Sequence, residues 1–347
     1  MPENTTKAQF LELMQGEYNF TRMYQWAKNF MAGAPSFADM LGFTEAVQEL
    51  STPLHPDIDY AKTIDISGSG GSKLQTVNVG TIGSFILAAG GLIVAKQATR
   101  ASTGLVGSRD LLRGLGIDIM NQTSDPRTVS QLLEDLGIAF YYHPSFTTKF
   151  ANQMQFFTDL KEKQLAFVTP WHLLFWIYSP LPLKYRIYGM STSKYLRKIA
   201  RVFQKQGVYK GLVVCGGEMD EVSNTGLTEV VEFAPSKLED VRLKPELFGA
   251  KVVLASAVEV ASAEEAIYDA VRILFSQEKG PKKDLVVINC AAAFYCAGLT
   301  DSWEAGRQLS EDILASGSAA QKLEDYVKAA GEVNTFEAVK QRAYKLS

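Results

Sequence analysis

Five small residues, Gly68-Ser69-Gly70-Gly71-Ser72, follow a β-like run, Thr63 to Ile66, and precede an Ala-, Gly- and Ile-rich segment, Asn78 to Gly91. That segment is long enough for a buried helix, and a second apolar run, Leu92 to Ala95, ends on Lys96. Strand, glycine turn, helix, strand and cation is the order in which a chain grips phosphate. Glycines let backbone N–H groups approach oxygen closely, and the next helix offers its positive end. Asn78, Thr81, Lys96 and Ser108 are further polar groups for such a cradle. A purely structural tight turn uses the same residues, so the spacing matters. A dinucleotide fingerprint needs glycines at its first, third and sixth positions, and the sixth from Gly68 is Lys73. A P-loop needs four residues before its Gly-Lys-Ser/Thr end, and no such spacing occurs here. What remains is a phosphate cradle of another kind, or a bare turn.

The surrounding elements must hold these groups. Residues 8–60 read as helices: Phe10 to Met14 begins one, Met23 to Met31 a second, and Phe37 to Leu50 a third, punctuated at Pro35-Ser36 and Thr52-Pro53. From Ile64 onward short β-branched runs appear at Leu92–Ala95, Ala139–Tyr142, Gly211–Cys215, Leu227–Phe233, Lys251–Leu254 and Leu285–Asn289. Helical stretches lie between them, at Ser108–Leu115, Thr128–Leu136, Tyr195–Gln206, Ala263–Phe275 and Ala291–Ala297. Strands interleaved with helices predict a sheet covered on both faces. A second helical block, about Phe146 to Tyr185, interrupts the pattern and is expected to pack on the N-terminal helices. The fold class is therefore α/β: a small helical domain (1–62 plus about 146–190) hinged to a larger α/β domain (63–145 plus 191–347) with a mainly parallel central sheet.

Composition narrows the function. The chain has 347 residues, 46% of them hydrophobic, and a net charge of −3. With a pI near 5.8 it has no general attraction to nucleic acid or anionic membrane. Cys215, Cys290 and Cys296 are too few and wrongly spaced for a zinc site or disulfide framework, and read as buried thiols of a reducing cytoplasm. The polar start, Met1 to Gln9, lacks a signal-peptide core. The most apolar window, Leu165 to Leu183, is broken by Pro170, His172, Pro180 and Pro182, so it reads as a buried helix or an aromatic pocket wall. Lys279-Gly280-Pro281-Lys282-Lys283 reads as a solvated basic loop.

Taken together, the motifs resemble the anthranilate phosphoribosyltransferase family, related in fold to pyrimidine nucleoside phosphorylases. Gly68-Ser69-Gly70-Gly71-Ser72 stands at that family's Gly-Thr-Gly-Gly-Asp, and Asn78-Val79-Gly80-Thr81 at its Asn-x-Ser-Thr. Lys96-Gln97-Ala98-Thr99-Arg100 stands at its Lys-His-Gly-Asn-Arg, followed by Gly107-Ser108. Val214 to Glu221 resembles its strand ending in glycine and then an Asp-Glu pair, and Asn289 to Gly317 its last helices. The similarity covers nearly the whole chain, in order.

The resemblance implies displacement of pyrophosphate from phosphoribosyl pyrophosphate by a nitrogen nucleophile, through an oxocarbenium-like state at the anomeric carbon. The protein must hold a polyanion, neutralise the departing pyrophosphate and aim the nucleophile. By resemblance, Gly68 to Ser72 supply backbone donors, while Asn78, Thr81, Lys96 and Ser108 hold phosphate oxygens. Asp220 and Glu221 hold Mg²⁺, which prefers oxygen ligands and commonly uses one or two carboxylates plus substrate phosphates. Outside that context, two adjacent acids in a loop are usually a solvated turn. Gln97 and Thr99 fall on the acceptor side, and no side chain is required as a base. A homodimer is expected by resemblance.

Several positions depart from the family. Ser72 replaces an acid and Gly80 a serine, removing two oxygen ligands. Gln97 replaces His and Thr99 replaces Asn. The arginine that grips the anthranilate carboxylate lies between the family's His-Pro and Gly-Pro-Leu, here His143-Pro144 and Ser179-Pro180-Leu181. Yet no arginine occurs between Arg127 and Arg186. Lys149, Lys161 and Lys163 cannot reproduce a bidentate guanidinium contact. The segment carries Trp171, Phe175, Trp176 and Tyr178 instead, so the acceptor is expected to be a small nitrogenous aromatic compound, a different one in preference to anthranilate itself. His143 and His172 have a structural reading before a catalytic one. The alternatives are a metal-independent nucleoside phosphorylase and a non-catalytic homologue that binds a phosphoribosyl ligand.

Overall fold

The computed structural model describes residues 3–100, 105–123, 125–146, 151–165 and 169–345. Seven strands form one sheet: β1 (Thr63–Gly68), β2 (Ile93–Gln97), β3 (Ile138–Tyr141), β4 (Tyr185–Gly189), β5 (Lys210–Cys215), β6 (Thr228–Ala234) and β7 (Lys237–Leu243). Their order is β3-β2-β1-β4-β5-β6-β7. The first five are parallel, and β6 and β7 extend the sheet antiparallel. The expected architecture, a helical domain beside an α/β domain with a mainly parallel sheet, is the one observed.

Parallel strands are covered on both faces, which is why β2, β3 and β5 are near-continuous apolar runs. On one face the helices Val79–Ala89 and Pro281–Cys296 pack together with Ala263–Leu274 and Ser318–Ala330. Both central helices are apolar almost all round, as burial requires. On the other face lies the helix Leu196–Lys205, joined in one core with Glu3–Gln15, Phe20–Ala32 and Phe37–Leu50. The helices Ala151–Glu162 and Pro170–Leu174 pack on those three. An aromatic cluster of Phe10, Trp26, Phe43, Phe156 and Trp171 fills the junction, with neighbouring rings 4.4 to 6.4 Å apart.

The sheet ends differently at its two sides. On β3 the Phe140 N–H donates to the Tyr326 hydroxyl, which in turn donates to Gln122 Oε1. On β7 the outward side chains are Glu239, Asp240 and Arg242. Among the described residues no helix is long and apolar enough to cross a membrane.

Four assignments change. Leu285–Asn289 is not a strand but the middle of the helix Pro281–Cys296. A continuous apolar run does not distinguish a strand from a fully buried helix, and here burial selected the β-branched residues. Lys251–Leu254 finds no partner strand, and leaves Val252 and Leu254 exposed. Conversely, β4 and β7 were not expected. β4 lies directly after a proline-rich stretch, and β7, Lys-Leu-Glu-Asp-Val-Arg-Leu, reads as polar because it is an edge strand.

Candidate active site

β1 and β4 are neighbours in the sheet but not in the chain, because β2 and β3 were laid down on the other side of β1. At such a switch in strand order the loops diverge and leave a crevice at the carboxyl ends of the strands. Both strands end on glycine, Gly68 opposite Gly189. Gly189 has a clear reason: an added Cβ would sit 1.4 Å from the Asp220 carbonyl oxygen. Only glycine lets the acid-bearing loop cross the end of β4.

Every predicted site residue except Gly71 lines the cavity above this point: Gly68, Ser69, Gly70, Ser72, Asn78, Thr81, Lys96, Gln97, Thr99, Ser108, Asp220 and Glu221. The acid pair and the glycine turn, 150 residues apart, are therefore in contact. The Gly70 N–H donates to Asp220 Oδ2 at 2.7 Å, and Ser69 Oγ lies 3.3 Å from the same oxygen. Ser72 Oγ donates to the Glu218 carbonyl at 3.1 Å, and the Lys73 N–H donates to that carbonyl at 2.8 Å. Gly71 lies against Ser191 and adds its N–H to the surroundings of Asp220.

Lys96 reaches under the turn from the end of β2. Its Nζ donates to the Ile66 carbonyl at 2.8 Å and to Ser67 Oγ at 3.2 Å. Burial pushes this ammonium down from the ordinary lysine range, and Asp65 and Asp220 pull it partly back. Burial likewise raises Asp220, against the opposing pull of the Gly70 N–H. Glu221 is raised well above the usual carboxylate range, by burial first and by the adjacent Asp220 charge second. Its Oε2 is enclosed and has no hydrogen-bond partner among the described residues. A carboxylate oxygen in want of a donor, beside a second carboxylate, is a ligand set suited to a hard divalent cation. Among the described residues no group of three or more His, Cys, Asp or Glu is placed to hold a metal ion. Any cation here would complete its shell with phosphate oxygens and water.

Asn78 precedes the helix Val79–Ala89, and its Nδ2 donates to the Val106 carbonyl at 3.1 Å. Thr81 is buried in the first turn of that helix. Ser108 Oγ accepts the Thr99 N–H at 2.9 Å, so these two residues brace each other across the cavity wall. The Gln97 amide is buried, with neither atom paired among the described residues. Gly80 also has a steric reason. A Cβ there would lie 2.7 Å from the Ile66 carbonyl and 3.1 Å from Lys96 Nζ, so the family's serine does not fit this packing.

The aromatic run divides. Trp176 lines the cavity, whereas Trp171 is 1% exposed inside the helical core and is not part of the pocket wall. Tyr178 is buried as well, and the Phe175 side chain, like those of His143 and Lys149, lies outside the described residues. His172 Nδ1 sits 2.7 Å from Thr169 Oγ1 and accepts the Thr169 N–H, so it braces the start of its own helix. Arg186 is consumed. Its guanidinium pairs with Asp65 at 3.1 Å and donates to the Trp176 and Ile177 carbonyls. Sequence reasoning missed Arg100, Gln75 and Asn289 on the cavity wall. Arg100 could have been taken from its place directly after Thr99, while Asn289 was hidden by the strand reading of its segment.

A crevice at the strand-order switch, with a glycine turn, a buried lysine and paired acids, has the chemistry that suits a phosphorylated ligand in an α/β fold. The model of the glycosyl transferase family, a/b domain, matches residues 60–320. The chain is 31% identical to the anthranilate phosphoribosyltransferase of Petrotoga mobilis over 319 residues, 91% of this chain and 89% of that protein. It also superposes on the crystal structure of anthranilate phosphoribosyltransferase from Thermus thermophilus with TM-score 0.85, at 29% identity, covering 95% and 96% of the two chains. The Saccharomyces cerevisiae enzyme, in complex with PRPP and Mg, has the same fold at TM-score 0.82 and 21% identity, over 94% of this chain and 93% of that one. The chain belongs to the anthranilate phosphoribosyltransferase family of glycosyl transferases. It is an enzyme of the pentosyltransferase class.

Proposed function

We propose that the chain transfers the 5-phosphoribosyl group from phosphoribosyl pyrophosphate to a small nitrogenous aromatic acceptor. The observation that carries this reading is the Asp220–Gly70 contact, which brings the acid pair and the glycine turn into one cavity. The glycine turn Gly68 to Ser72 and the amino end of the helix Val79–Ala89 would face the diphosphate, which would take over the Gly70 N–H now held by Asp220. Lys96 adds a fixed positive charge, and Asn78, Thr81 and Ser108 would orient phosphate oxygens. Asp220 and Glu221 would hold Mg²⁺, whose chemistry when bound is to neutralise charge on the departing pyrophosphate. As the anomeric C–O bond breaks, its electrons leave with pyrophosphate, and the acceptor nitrogen forms the new bond to that carbon. The amine gives up its proton after attack.

The acceptor side supports a compound other than anthranilate. Arg186 is already occupied by Asp65 and two carbonyls, and the described wall offers Gln97, Thr99, Arg100 and Trp176. The relatives' names favour anthranilate itself, so turnover decides: production of phosphoribosylanthranilate at about 1 s⁻¹ or more would reject a different acceptor. Calorimetry with phosphoribosyl pyrophosphate tests the donor half. Binding that requires Mg²⁺ supports it, and no binding overturns it and leaves the phosphorylase or the non-catalytic homologue. We extend the reading to a reducing cytoplasm, for which the three buried free thiols are the support, and to a homodimer, for which the family resemblance is the support.

A further inference from the structure

Glu221 has an unanchored carboxylate oxygen in a place where a metal ligand must be held to a fraction of an ångström. Its position is set by its main chain, and both main-chain polar groups of the next residue, Val222, are gripped by a single side chain. Asn289, 2% exposed on the helix Pro281–Cys296, accepts the Val222 N–H on Oδ1 at 2.9 Å and donates from Nδ2 to the Val222 carbonyl at 2.8 Å. The same Nδ2 donates to Leu285 one helical turn back, at 2.8 Å. Both polar groups of the residue after Glu221 are thus tied to a rigid helix. On its opposite side the loop is tied to the glycine turn, through Asp220 to Gly70 and Glu218 to Lys73.

We propose that Asn289 is a positioning residue for the Asp220–Glu221 pair, fixing the carboxylates in the geometry that takes a divalent cation beside the glycine turn. This inference rests on the donor half of the function above. Asparagine suits the task because its amide presents one acceptor and one donor in a plane, matching the N–H and C=O of a single residue. A hydrophobic residue of similar size would leave both Val222 groups buried and unpaired. Groups that hold metal ligands from behind set metal affinity by about 10–100-fold when removed.

The test is the Mg²⁺ dependence of phosphoribosyl pyrophosphate binding, read by calorimetry on the full chain. Asn289→Ala should raise the Mg²⁺ concentration for half-maximal binding at least tenfold. Gln122→Ala serves as the comparison, because Gln122 is equally buried and bonds Tyr326 and Ala330 on a remote part of the fold. It should lower the unfolding midpoint and leave the Mg²⁺ dependence within twofold. Should Asn289→Ala fail to fold, Asn289→Ser keeps a hydroxyl for Leu285 and is expected to show the same displacement. A second arm needs no ligand: hydrogen exchange of the Val222 amide should accelerate at least tenfold in either variant, with β2 and β3 unchanged. The proposal is overturned by Mg²⁺ dependence within twofold of the parent in a folded Asn289 variant, or by an equal displacement in Gln122→Ala. Parent protein that fails to bind phosphoribosyl pyrophosphate refutes the donor reading instead, and unchanged exchange at Val222 then refutes the clamp separately.

Discussion

Arg186 and Asp65 form an ion pair at 3.1 Å, both 2% exposed, on adjacent strands directly beneath the cavity. Arg186→Met leaves Asp65 as a buried carboxylate with Ser67 Oγ, 2.6 Å away, as its hydrogen-bond donor. Removing one partner of a buried pair destabilises by about 3–5 kcal/mol, chiefly because the other charge is left uncompensated. Two further losses come from the Trp176 and Ile177 carbonyls, each a bond worth about 1 kcal/mol. Asp65→Asn with Arg186→Met removes both charges but not the carbonyl losses, so the double variant should sit only about 2 kcal/mol below the parent. Arg186→Met should then lose about 5–7 kcal/mol and Asp65→Asn about 3–5 kcal/mol, giving a coupling of several kcal/mol. Urea unfolding of all four proteins, followed by circular dichroism, measures the cycle. Losses that simply add would refute the reasoning, since the pair would then contribute no mutual stabilisation. The same variants bear on function, because Arg186 holds the backbone of Trp176 against the sheet. Arg186→Met should therefore weaken acceptor binding more than phosphoribosyl pyrophosphate binding.

Gly80→Ser restores the family's hydroxyl but drives a Cβ to 2.7 Å from the Ile66 carbonyl; it should lose about 1–3 kcal/mol of stability with no gain in Mg²⁺-dependent binding, and tighter binding at unchanged stability would contradict this. Glu221→Gln should abolish Mg²⁺-dependent binding in calorimetry while raising the metal-free urea midpoint, because it removes a like charge packed against Asp220 and an oxygen with no donor. Loss of binding accompanied by a lower midpoint would count against the strained-pair account. Burial pushes the Cys296 thiol up to about 12 from its ordinary 9.0. The native chain thus keeps a proton that the unfolded chain releases, so this contribution is full below pH 9.0 and is lost as pH rises toward 12. Cys296→Ala should flatten the fall in urea midpoint across that range, and an unchanged slope would refute the assignment.

Much of the fold was legible because the first half of the sheet is built from unambiguous units. A glycine turn after Ile66, an Ala-rich helix and a run ending on Lys96 specify β1, a helix and β2 with little room for another reading. The cavity could be expected from the same motif, and Asp220 and Glu221 from their place beyond β5. Legibility failed where burial overrides local preference. Leu285 to Asn289 is β-branched because it is surrounded, not because it is extended, and the misreading hid Asn289. It failed again in the aromatic segment, where Trp171 and Trp176 are chemically alike but only packing sends one into the helical core and the other to the cavity. Arg186 carried no sign in sequence that its charge was already taken. Gly80 reads as a lost ligand until the carbonyl beside it is seen.

The two borders of the sheet have a bearing on how copies of this chain can meet. A bare border strand can recruit a strand from another molecule and seed a growing ribbon. At β3 the Phe140 amide is already engaged by Tyr326, and at β7 the exposed side chains Glu239, Asp240 and Arg242 are all charged. Neither border invites strand exchange, and the antiparallel extension through β6 and β7 can add breadth to the molecule without making it sticky.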